Sequence, residues 1–184
     1  MQKLLIYHLP IPKTLTILFD KNFLYIKGIK NKTFFVILNF IYIYKKENKI
    51  LLTLKKSGYL TESLTIINLN LLKLYYKLLS NKILGISNGF FSQLECKGLG
   101  YKAKVKNNLL ILKLGLSHTL NFIITINIHV FCSKSNNIVF FSHNKQKLYE
   151  FIYKIRANKK PDSYKGKGLK LKFEIIKLKE GKKV

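Results

Sequence analysis

Apolar and polar positions along the chain fall into two successive blocks, each a series of strand-like runs followed by a helix-like run. In the first block, Thr14 to Phe19 and Asn22 to Lys27 are short β-prone runs separated by Asp20 and Lys21, which predicts a hairpin, and Gly28 ends the second run. Thr33 to Tyr44 and Lys49 to Leu54 read as further strands, with Lys45 to Asn48 as the turn between them. From Thr65 to Leu84 the period lengthens. Leu69, Leu72, Tyr76, Leu79 and Ile83 trace one face of a helix, and Gly85 is its expected stop.

The second block repeats this plan. Phe91 to Lys97, Tyr101 to Lys106, Leu109 to Leu114, Phe122 to Val130 and Asn137 to Phe141 are strand candidates, with Asn107 and Asn108 as a compact turn. A helix follows from about Lys145 to Arg156, with Asn144 as its N-cap. Its Leu148, Phe151, Ile152 and Ile155 recur at helical spacing and are expected to cover a sheet. Strands then helix, twice over, predict an α+β protein of two similar small domains, each an antiparallel sheet packed against one helix. The expected division is 1–82 and 83–184, the second domain carrying a basic C-terminal extension. The duplication rests on element order rather than on residue identity.

The uncharged stretch from Leu114 to Ser133 raises the question of a membrane span, which needs ~20 apolar residues. Ser117, His118, Asn121, Asn127 and His129 interrupt it, and β-branched residues favour a strand, so a soluble protein without a membrane span is expected. No charged-then-apolar leader ending in small residues is visible at the start of the sequence.

Charge narrows the function. Among 184 residues, 34 Lys plus Arg face 8 Asp plus Glu, a formal net charge of +26, while 48% hydrophobic residues supply a core. A compact domain with that excess calls for a polyanion: nucleic acid, an anionic membrane surface or an acidic partner. Arg156 is the sole arginine. Lysine offers a point charge to phosphate rather than a fork for guanine edges, so backbone-tracking RNA binding fits better than sequence-specific DNA reading. The same composition, rich in Ile, Asn, Lys, Phe and Tyr with alanine only at Ala103 and Ala157, reflects an AT-rich genome and points to an organelle or a reduced genome.

Catalytic and metal chemistry find little support. Cys96 and Cys132 form no C-x-x-C pair and read as small buried hydrophobes in strands. His8, His129 and His143 lack metal-ligand spacing. Ser117 beside His118 has no evident acid to orient the base, since Asp20 and Asp162 are the only aspartates, so no enzyme, cofactor, metal or small-molecule substrate is expected. The pair Gly98 and Gly100 lacks the third glycine and following helix of a dinucleotide fold and reads as a β-bulge or sharp hairpin.

The basic stretch from Lys154 to Lys172 holds eight basic residues and one acid, and Lys182 and Lys183 read as a mobile basic tail. Within it, Pro161 interrupts any continuing helix, and Lys165 and Lys167 alternate with Gly166 and Gly168 behind the ring and hydroxyl of Tyr164. Lysines, hydroxyls and exposed backbone N–H groups are what phosphates contact. A solvated basic tail is the alternative.

Arg156-Ala157, Pro161 and the run Tyr164-Lys165-Gly166-Lys167-Gly168 resemble the C-terminal signature of the large-subunit ribosomal protein L6 family, bacterial and organellar type. Gly89-Phe90, Leu94-Glu95, Gly98-x-Gly100-Tyr101-x-Ala103 and the block from Leu114 to His118 resemble its other motifs, in order. The resemblance covers roughly Ile83 to Lys172, with Ile26-Lys27-Gly28 as an echo in the first half. Thr119 and Ser163 stand where the family usually has proline, and Lys159 and Lys160 where arginine is frequent.

The resemblance implies two α+β domains and a structural constituent of the large ribosomal subunit that binds large-subunit rRNA near the sarcin–ricin stem. Neighbouring ribosomal proteins and translation factors would lie close by. It carries over Ser117, His118, Arg156, Lys159, Lys160, Tyr164, Lys165, Gly166, Lys167 and Gly168 as RNA contacts or loop-forming positions. Lys97, Lys102 and Lys170 join them on charge. A mitochondrial ribosome is the expected location, with a plastid or an AT-rich bacterium as alternatives. A general basic RNA-binding protein and an anionic-membrane-surface protein are the functional rivals.

Overall fold

A computed structural model describes residues 6–20, 22–29, 31–38, 41–54, 62–133 and 136–181, with the backbone alone for 62–67. Lys21, Lys182 and Lys183, expected in a turn and a mobile tail, lie outside the described residues. The chain forms two compact units, Met1–Asn88 and Gly89–Val184.

In the first unit, β1 (Tyr7–Pro10), β5 (Ile41–Lys46) and β6 (Lys49–Leu54) form an antiparallel sheet in the order β1-β6-β5. A meander of β2 (Thr16–Asp20), β3 (Phe23–Lys27) and β4 (Lys32–Val36) forms another. Strand β6 is central and buried on both faces, with Ile50 and Leu52 fully enclosed and Leu51 and Thr53 nearly so. Helix α1 (Glu62–Ser87) lays Leu72, Leu79 and Ile83 into the same core as Leu24 and Ile26 of β3.

Two expectations about this unit change. The run Thr33 to Tyr44 is not one strand: it divides into β4 and β5, which belong to different sheets. Gly85 does not stop the helix, which continues to Ser87, so the expected 82/83 division falls inside α1. The residue that turns the chain is Gly89, at φ +75°, past the last turn where Asn88 N–H donates to Leu84 O at 3.0 Å.

The second unit repeats the topology. Strand β7 (Phe90–Lys97) comes first, then a meander of β8 (Lys102–Lys106), β9 (Leu109–Lys113) and β10 (Leu120–Ile123). Next come β11 (Ile128–Cys132) and β12 (Asn137–Ser142), then helix α2 (Lys145–Ala157). The first strand pairs with the last before the helix, β7 with β12 as β1 with β6. The unit then adds β13 (Gly168–Leu171) along the free side of β7, giving the order β11-β12-β7-β13.

Local signals decide several of these elements. Asn144 caps α2, its Oδ1 accepting from the N–H groups of Gln146 at 3.0 Å and Lys147 at 3.3 Å. Leu148, Phe151, Ile152 and Ile155 are buried against the sheet. Asn107 and Asn108 both take positive φ, the geometry of a two-residue hairpin turn between β8 and β9.

The run Phe122 to Val130 breaks instead: β10 and β11 lie in different sheets, and Ile126 stands exposed at the corner. Among the described residues no helix is long and apolar enough to cross a membrane. Cys96 is buried and Cys132 half-buried, both unbridged, and burial, with a contribution from nearby Cys132, pushes the Cys96 thiol up to about 11.

Candidate nucleic-acid interface

The glycines Gly98 and Gly100 make neither a bulge nor a hairpin. They form a tight turn, Tyr101 N–H donating to Gly98 O at 3.4 Å with Gly100 at φ +72°, that carries the chain from β7 into the other sheet. The buried Tyr101 ring lies against Gly98, where a Cβ would come within 2.6 Å of it, and beside Gly115, where a Cβ would stand 3.3 Å away. That ring ties the Gly98 turn to the start of the loop carrying Ser117 and His118. Both of those side chains are exposed, with Ser117 Oγ 3.4 Å from His118 Nδ1.

Beyond α2 the chain reverses through a closed loop rather than a loose tail. Asp162 organises it. Its carboxylate accepts the N–H groups of Tyr164 at 3.1 Å and Lys165 at 3.2 Å. Its own carbonyl accepts Gly166 N–H at 3.0 Å, and its N–H donates to Lys167 O at 2.8 Å. Those amide donors favour the ionised form and hold the Asp162 carboxyl below its ordinary value. Tyr164, Lys165 and Lys167 are thereby left exposed on a fixed backbone.

Gly168 is required by packing: it sits at φ +142°, and a Cβ there would be 2.6 Å from Lys160 O and 2.7 Å from Pro161 Cα. The loop then closes as Leu169 N–H donates to Lys159 O at 2.9 Å. The acid at Asp162, two residues ahead of Tyr164, is the sequence signal for such a side-chain-capped turn.

Strand β13 brings distant lysines together. Gly168 stands opposite Lys97 and Lys170 opposite Glu95, with Lys170 Nζ 3.2 Å from Glu95 Oε2. An open groove of about 500 Å³ results, its cationic lining Lys97, Lys165, Lys170 and Lys172. The acids near it are already matched, Glu95 by Lys170 and Glu174 by Arg156. Among the described residues, Lys97, Lys165 and Lys172 form no ion pair, so the groove keeps its positive field. Lys172 was not singled out from sequence, because its place depends on the pairing of β13 with β7.

The other expected contacts sit elsewhere. Arg156 is half-buried and turned inward onto Glu174, which makes it a structural residue. Lys102 lies on β8, in register with Lys113, and does not line the groove. Lys159 and Lys160 precede the loop, Lys159 half-buried and Lys160 exposed. No cluster of His, Cys, Asp and Glu among the described residues is able to hold a metal ion.

Lys97, Lys165, Gly166 and Lys170 of this groove fall in a segment that matches known proteins. Residues 97–171 match the family described as Ribosomal protein L6. Over that stretch the chain is similar to ribosomal protein L6. Similar proteins include the large ribosomal subunit protein uL6m of Reclinomonas americana, 43% identical over 109 residues, which are 59% of this chain and 59% of that protein. The large ribosomal subunit protein uL6 of Fervidobacterium nodosum is 38% identical over 109 residues, again 59% of each chain. That of Dinoroseobacter shibae is 41% identical over 106 residues, 58% of this chain and 60% of the relative. The chain therefore spans under two thirds of the L6 relatives it matches. The Gly98 turn, the Ser117-His118 loop and the Tyr164 to Gly168 loop all fall within the L6 match.

Proposed function

We propose that this chain is a structural constituent of the large ribosomal subunit whose second unit binds large-subunit rRNA. The observation that carries this reading is that Lys97, the Asp162-pinned loop and β13, which supply Lys97, Lys165 and Lys170 to the lysine groove, fall within the L6 match, residues 97–171, with Lys172 just beyond it. Lys97, Lys165 and Lys172 neutralise phosphates while the Asp162-pinned loop offers the hydroxyl of Tyr164 beside them. Of the 34 basic residues, 20 lie beyond residue 88, which puts most of the phosphate-binding capacity on this unit. Ser117, His118, Lys159, Lys160 and Lys167 contribute contacts along the flanks.

The role is to hold rRNA helices in place rather than to catalyse. Contact near the sarcin–ricin stem, with translation factors and other large-subunit proteins close by, follows from the family resemblance. A mitochondrial ribosome is the proposed location, supported by the AT-rich composition and by the likeness to the Reclinomonas americana protein uL6m.

Sedimentation of extract from the source organism on a sucrose gradient, with this chain followed by mass spectrometry, tests the reading. Salt-resistant comigration with the large subunit is expected. A chain running free or with membranes would overturn it.

A further inference from the structure

We infer that the outer face of the four-stranded sheet in the second unit is a platform on which unpaired RNA bases stack, continuous with the lysine groove. The inference rests on the RNA-binding reading above and names the form of RNA that this face takes.

Along β7, Leu94 and Cys96 are buried in the core, so the alternate positions Phe91, Gln93, Glu95 and Lys97 share the opposite face. The pairing registers extend that face in rows. Phe91 stands beside Phe141 and Phe141 beside His129, while Gln93 stands beside Val139 and Val139 beside Phe131. A solvated face of an antiparallel sheet ordinarily carries polar side chains at these positions. Here Phe91 is 75% exposed and Phe131 64%.

Phe141, between their strands, is the fixed floor. Its ring occupies the space over Gly89, where a Cβ would lie 2.4 Å from Cε2, and its centroid is 6.2 Å from that of His129.

The same face changes character along β7. It is aromatic at Phe91 and cationic at Lys97, about 20 Å away at ~3.3 Å per strand residue. There Lys97 joins Lys170 of β13 in the groove, and Glu95, the acid on the way, is matched by Lys170. Rings at one end for bases and ammonium groups at the other for phosphates are the chemistry that binds single-stranded RNA over a few nucleotides. A paired helix hides its base faces and has no use for the rings.

The test compares two probes on the full chain, an unpaired oligoribonucleotide and a fully paired RNA duplex of the same length. The expected result is that Phe91→Leu with Phe131→Leu weakens single-strand binding about tenfold or more and leaves duplex binding unchanged. Phe91→Tyr with Phe131→Tyr, which keeps the rings, should retain single-strand affinity. Both pairs are exposed, and circular dichroism checks that the fold is kept.

No loss on the single strand, or equal loss on both probes, overturns the inference. If Lys97→Ala with Lys165→Ala still weakens both probes, only the platform has failed. If that pair changes neither, the RNA-binding reading has failed with it. Concentration-dependent self-association of the wild-type chain, abolished in the leucine pair with RNA binding unaltered, would assign the face to a second copy and likewise overturn the platform.

Discussion

Arg156 of α2 donates through Nη2 to Glu174 Oε1, and the other oxygen of that carboxylate accepts the Leu171 N–H at 3.1 Å. The only arginine in the chain thus ties the helix to the segment that follows β13. Arg156 Nε is buried with no hydrogen-bond partner among the described residues, so the guanidinium relies on Glu174.

Glu174→Ala should therefore destabilise the second unit by ~1–3 kcal/mol, leaving a half-buried cation and the Leu171 amide without their acceptor. Urea denaturation measures this. A double-mutant cycle with Arg156→Ala should show coupling between the two residues, and additive effects would refute the pairing.

Two glycines with positive φ separate packing from conformation. At Gly100, φ +72°, a Cβ meets nothing within 4 Å, so Gly100→Ala carries only the left-handed backbone cost of about 1–2 kcal/mol. At Gly168 the added Cβ also collides with the backbone of Lys160 and Pro161. Gly168→Ala should be the more damaging of the two, opening the loop closure in which Leu169 N–H donates to Lys159 O. Protection of the Leu169 amide from hydrogen exchange is the readout, and equal effects from both variants would contradict the close packing at Gly168.

The loop at Asp162 should respond to acid. Its folded-state carboxyl sits below the usual 3.8 because the Tyr164 and Lys165 amides donate to the ionised form. A depressed carboxyl stabilises the loop above its unfolded value and loses that contribution as pH falls through the folded one. Hydrogen-exchange protection of the Tyr164 and Lys165 amides should hold at neutral pH and fall away below the usual carboxylate value. Asp162→Ala should remove it at every pH, and full protection in that variant would show that the loop is held by other contacts.

Legibility followed the range of each interaction. The Asn144 cap, the Asn107-Asn108 turn and the buried stripe of α2 are decided within a few residues, and each is readable from the sequence. The breaks inside Thr33 to Tyr44 and Phe122 to Val130 are not, because apolar side chains continue through the corner where the chain leaves one sheet for another. Gly85 reads as a helix stop although it is buried inside α1, since tertiary packing outweighs a local helix cost of about 1 kcal/mol. At the site, the exposed Tyr164, Lys165 and Lys167 were visible as a motif. The groove was not: Lys97, Lys170 and Lys172 meet only once β13 pairs with β7, and the inward turn of Arg156 depends on Glu174.

That distinction separates the lysines by function. Lys97 and Lys165 line the groove, whereas Lys102 and Lys104 project from β8 on the other sheet, equally exposed. If phosphate binding follows the groove, Lys97→Ala with Lys165→Ala should weaken binding to a large-subunit rRNA fragment and lower the slope of log K against log salt by about 2, one for each lost contact. Lys102→Ala with Lys104→Ala removes the same formal charge and should leave that slope nearly unchanged. Filter binding across a salt series measures both. Equal slope changes in the two pairs would mean that diffuse charge, rather than the arrangement built by β13, governs affinity.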